Sequence, residues 1–133
     1  MSADAGSVEL NEISRVCAAM RALNHDLFAE LGRWAVADDC DRRVLYATAC
    51  HRHAWHAELW ARRMPRLHAE GSHLDGDERV QRLPNAPDAD AYRALLLRLA
   101  DDLDDLAARV DPVLDPATTR VIRLVLRDVA ELT

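Results

Sequence analysis

Three of the six histidines, His51, His53 and His56, and two of the three tryptophans, Trp55 and Trp60, fall between Cys50 and Trp60. Imidazoles at this density can bind a transition metal or move protons near neutral pH. Which of them face inward depends on the helix that carries them. Projected at roughly 100° per residue, Tyr46, Ala49, Cys50, His53, Ala57, Trp60 and Met64 share one face, with His56 at its margin. His51, Glu58 and Arg62 lie opposite, with Val44, Thr48 and Trp55 nearer to His51. His53 is thus the inward imidazole, His56 is intermediate, and His51 is expected to meet solvent or a partner.

Carboxylates recur on the apolar stripes of the other helical segments. Asp128 sits among Val121, Val125 and Leu132, with Glu131 near the stripe's edge. Glu30 is at the edge of the first stripe and Asn24 is inside it, while Asp102 is the most inward of Asp101, Asp102, Asp104 and Asp105. A buried carboxylate without a partner costs several kcal/mol, so each needs a counterpart. Convergence of Glu30, His53, Asp102 and Asp128 or Glu131, with His56 beside them, would give a carboxylate and histidine site suited to iron or manganese. The alternative is structural. His53 would then be a core histidine bonded to Asp128 or a backbone carbonyl, and Glu30 or Asp128 would pair with an arginine such as Arg33 or Arg127. Trp34, Trp55 and Trp60 would be packing residues, and Cys50 a small apolar one.

Four helical patterns position these groups. The first runs from about residue 7 to 36, with Ser7 as its cap. Its stripe is Leu10, Ile13, Val16, Cys17, Met20, Leu23, Leu27, Phe28, Leu31 and Trp34, at steps of three and four. The second spans about 42–64, opened by an acidic turn of Asp38, Asp39 and Asp41 and closed by Pro65. The third, about 88–110, carries Tyr92, Leu95, Leu96, Leu99, Leu103, Leu106 and Val110. The fourth, about 116–133, follows an Asp115-Pro116 start and turns Val121, Leu124, Val125, Val129 and Leu132 inward. Residues 65–87, punctuated by Gly71, Gly76, Pro84 and Pro87, form a connection too long for a simple hairpin. Two short connections around one long one predict an all-α, four-helix bundle with a single long crossover between its second and third helices.

The chain has 133 residues, half of them hydrophobic, which suits one domain over 1–133. All seventeen basic residues are arginine, and the net charge of −6 argues against nucleic acid or an anionic membrane as main partner. The N-terminal segment lacks the pattern of a signal peptide and no apolar run reaches bilayer length, so a cytoplasmic location is expected. Cys17, Cys40 and Cys50 are odd in number and far apart, as expected of three reduced thiols.

The segments Arg52–Trp60, Arg63-Met64-Pro65, Leu31-Gly32-Arg33-Trp34 and Arg123–Asp128 resemble a group of actinobacterial ferritin-like proteins without an assigned activity, over most of the chain. The resemblance implies the ferritin-like bundle and a di-metal centre. In that superfamily a glutamate, two residues and a histidine recur on the second and fourth helices, with one glutamate on each of the others. Here Cys50 stands at the second helix's glutamate position, three residues before His53. Asp128-Val-Ala-Glu131 replaces the fourth helix's motif, and aspartates replace the third helix's glutamate. Two readings follow. The first is a divergent metalloprotein, binding iron or manganese through His53, Glu30 and Asp128 for oxidase or oxygenase chemistry on an unidentified small molecule. The second is a helical binding or assembly module that has lost the centre, its tryptophans and outward histidines forming an interface. The resemblance also implies pairing as a homodimer.

Overall fold

The computed structural model describes residues 10–37, 41–64 and 77–133. The described residues are all-α, without a strand. They form α1 (Leu10–Ala35), α2 (Arg43–Arg63), the single turn α3 (Glu78–Gln81), α4 (Ala89–Arg109) and α5 (Pro116–Leu132). The start expected near Ser7, the acidic pair Asp38 and Asp39, Cys40 and Pro65 lie outside these residues. No helix among them is long and apolar enough to cross a membrane.

Local chemistry sets the helix ends. The Asp115 carboxylate accepts from the Thr118 amide at 3.0 Å, with Pro116 in the first turn. Asp88 likewise caps α4 by accepting from the Ala91 amide at 3.0 Å. Each such cap satisfies an N–H that has no intrahelical partner. The acidic turn expected to cap α2 does not do so through Asp41: the N-cap is Arg42, and no side chain bonds there. At the other end Met64 adopts φ −49°, ψ 123°, the extended conformation that a following proline enforces.

The stripe of α4 is buried throughout, from Tyr92 to Leu106, and meets Leu23, Leu27, Leu31, Ile122, Val125 and Val129 in one core. Each leucine taken out of water there stabilises the fold by about 1.5–3 kcal/mol. Leu10 and Phe28, expected inside, are about half exposed, because they lie at the end and the rim of the α1 stripe. Ile122 and Thr118 join the core instead.

Contacts between helices give their directions. Trp34 packs edge-on against Tyr46 with ring centres 5.3 Å apart, the Cys50 thiol donates to the Phe28 carbonyl at 3.2 Å, and Asn24 meets His53. Numbers on α1 fall as those on α2 rise, so the two helices are antiparallel. Arg52 reaches Asp128 and Arg63 reaches Asp115, which makes α5 antiparallel to α2. Arg109 bonds Glu12 at 2.9 Å, and Asn24 and Tyr92 share His53, so α4 runs against α1. It follows that α2 and α4, on either side of the connection that holds α3, are parallel. Within that connection α3 packs on α1, where the Asp77 amide donates to the Asp26 carboxylate at 2.6 Å.

Candidate functional site

Two fully buried histidines stand three residues apart on α2. Both His53 and His56 are 0% exposed, and their rings meet edge-on with centres 5.8 Å apart. His56, placed at the margin by the helical projection, is therefore in the core. The projection assumed one buried face, whereas α2 is flanked by α1 on one side and α5 on the other.

His53 is held by neutral partners. The Asn24 amide donates to the Met20 carbonyl at 2.8 Å, which leaves its oxygen as the acceptor facing His53 Nδ1 at 2.9 Å. His53 Nδ1 thus carries the proton. Nε2 then accepts from the Tyr92 hydroxyl at 2.7 Å. Burial, with a smaller contribution from His56, pushes the His53 pKa down to about 3. Burial also raises the Tyr92 hydroxyl above its usual range, so the phenol stays protonated and able to donate. Neither ring nitrogen of His53 retains a free lone pair or proton.

His56 has an ionic setting. Its Nε2 lies 2.9 Å from Asp128 Oδ2, and Arg52 donates to Asp128 Oδ1 at 2.7 Å and to Glu131 at 3.3 Å. Burial lowers the His56 pKa, partly offset by Asp128. The imidazole is therefore neutral, with Nε2–H donating to the carboxylate. Its buried Nδ1 has no hydrogen-bond partner among the described residues.

A third cluster lies about two turns further along α2. Arg63 donates to Thr118 Oγ1 at 2.7 Å and to Asp115 at 3.0 and 3.1 Å, while Thr118 donates to Asp115 at 2.6 Å. Burial would raise the Asp115 pKa, but the bonds from Thr118 and Arg63 outweigh it and hold the carboxyl below its usual range. Nearby Cys17 is a buried free thiol whose pKa burial raises to about 11. Cys50 is a half-buried free thiol, also raised by burial, so neither is a ready thiolate.

The expected ligands have separate partners. Glu30 is buried but pairs with Arg33, and both line a cleft of about 320 Å³ between α1 and α3. Asp102, expected to be the most inward aspartate of α4, is instead exposed and bonds Arg79 of α3 at 2.9 Å. Leu99, Leu103 and Leu106 occupy the inward positions around it. Glu131 is exposed on Arg52. Only His56 and Asp128, of the six candidates His53, Asp128, Glu30, Glu131, Asp102 and His56, bond one another. Among the described residues no group of three or more His, Cys, Asp or Glu side chains is gathered to hold a metal.

The arginine of Asp128 is Arg52 rather than Arg127, and the core histidine that bonds Asp128 is His56 rather than His53. Arg52 had no signal of its own in a single helix, because its role depends on which side α5 packs. Tyr92 carried one: it is the polar-tipped residue in an otherwise leucine-rich stripe. Trp34 and Trp60 are buried, and Trp55 is 40% exposed. No family model, no curated protein and no solved structure matches this chain.

Proposed function

We propose that the chain is a ferritin-like helical module whose metal centre has been replaced by a hydrogen-bonded polar layer, and that it works by binding or assembly rather than by oxygen chemistry. The ferritin-like reading is supported by the helix directions, with two parallel helices joined by the long connection, and by the resemblance around His53. A di-metal centre does not fit the residues present. The single observation that carries this choice is that both nitrogens of His53 are engaged, by Asn24 and Tyr92. A metal at His53 would have to displace the Tyr92 hydroxyl, and the carboxylates that would join it are neutralised by Arg33, Arg79 and Arg52.

Such a layer ties all four long helices together. Asn24, His53 and Tyr92 connect α1, α2 and α4, and Arg52 and His56 add α5 through Asp128. Polar groups satisfied in this way favour one arrangement of helices over its competitors, since a slipped register would leave them unpaired. The surface that remains for a partner includes the outward side of α2, with His51 and Trp55.

Elemental analysis of untagged protein purified from cells supplied with iron and manganese tests the proposal. The expected result is neither metal at stoichiometric level, and no change in His53→Ala. A full equivalent of iron or manganese that disappears in His53→Ala would overturn it and restore the metalloprotein reading.

A further inference from the structure

Val44, Thr48, His51, Trp55, Glu58 and Arg62 are spaced alternately four and three residues apart, and all six are exposed. This is the spacing of a helix that lays one seam along another helix. It lies on the side of α2 away from His53 and Trp60. Trp55 is at its middle, and Val44 at its start is 82% exposed. The Arg62 guanidinium carbon lies 5.8 Å from the centre of the Trp55 ring, and Arg62 bonds Glu58. A large indole held in place by a neighbouring arginine, with water on its other face, suits an interface centre.

We infer that this seam is the contact between two copies of the chain, with α2 of each packed antiparallel across a twofold axis near Trp55. The inference rests on the assembly reading above and names its partner. Charge decides the direction. His51 and Glu58 are seven residues apart on either side of Trp55, so a twofold axis there sets His51 of each copy against Glu58 of the other. Thr48 then faces Arg62, and the two indoles meet at the axis. Parallel packing would instead set Glu58 against Glu58 and Arg62 against Arg62. A twofold contact must be complementary to itself, and this stripe is so only in the antiparallel sense.

Sedimentation of the full chain over a wide concentration range tests this. The wild type is expected to dimerise, and Trp55→Glu to weaken the dimer at least ~10-fold, with an unchanged helical spectrum because the side chain is at the surface. His51→Glu, which places two carboxylates face to face, is expected to weaken it ~5-fold, and His51→Glu with Glu58→His to restore it. A dimer indifferent to Trp55→Glu, or a swap without recovery, would overturn the seam but leave assembly through another face. A wild-type monomer at all concentrations would overturn the dimer while leaving the metal measurement, which tests the polar layer, untouched.

Discussion

His53 and His56 share a helix, a burial and a neutral charge state, yet they are held by opposite means. His53 spends both nitrogens on neutral groups, Asn24 and Tyr92, and is complete. His56 spends one nitrogen on Asp128, whose charge Arg52 balances, and its Nδ1 has no partner among the described residues. The difference follows from what each faces. Towards α1 and α4 the atoms that face His53 are the uncharged groups of Asn24 and Tyr92, so the imidazole there is satisfied by hydrogen bonds. Towards α5 the polar layer reaches the surface, where an arginine 38% exposed in its side chain can carry charge into it. Burial alone does not say what a histidine does; the partners of each nitrogen do.

The largest expected effect comes from the ionic half. Asp128→Ala leaves Arg52 and the His56 Nε2–H without their acceptor and should cost about 3 kcal/mol in urea unfolding. A loss below about 1 kcal/mol would mean that the pair is held for geometry rather than stability. Next comes the neutral half. Tyr92→Phe removes the donor to His53 Nε2 and keeps the ring, at an expected cost of about 1–2 kcal/mol. The two losses should be more than additive or less than additive by a measurable amount, since the rings touch; strict additivity would show the two halves to be independent.

Acid should act on both halves in the same sense. The His53 pKa falls from 6.5 in a free side chain to about 3 in the fold, and that of His56 is also lowered. Between those values the unfolded chain binds more protons, so stability is fully present above about 6.5 and is lost as pH falls towards 3. Within that window His53 contributes a slope of roughly 1.4 kcal/mol per pH unit, and His56 adds to it in the same direction. Unfolding of His53→Gln measured from pH 7 to 4 should show a shallower slope than wild type. An equal slope would place a protonated His53 in the native core. The smallest expected change is Thr118→Val, which keeps the volume, loses the hydroxyl between Arg63 and Asp115, and should cost about 1 kcal/mol.

Apolar spacing made the α4 stripe, the inward face of His53 and Asn24, and the buried place of Asp128 legible in the sequence, because each depends only on its own helix. The Asp115-Pro116 start was legible for the same reason. Pairing was not. His56 is marginal in the projection of α2 alone and is buried by α5, and Asp102 borders the α4 stripe because Leu99 stands three residues before it and Leu106 four after it. Arg52 and Tyr92 complete the two halves of the layer, yet their roles arise from three helices whose relative rotation no single stripe encodes. The six candidate ligands each lie in or near an apolar stripe of the sequence, but a site needs them at one height along the helices as well. Glu30 and Asp102 have their partners outside the polar layer.

The most direct measurement is the nitrogen-15 spectrum of the two imidazole side chains at neutral pH, with and without an equivalent of manganese(II). The account predicts His53 as the neutral Nδ1–H form and His56 as the neutral Nε2–H form, with both sets of signals unmoved and unbroadened by the paramagnetic ion. Loss of the His53 and His56 side-chain signals on adding manganese, reversed by a chelator, would contradict it and put a metal where the hydrogen bonds are.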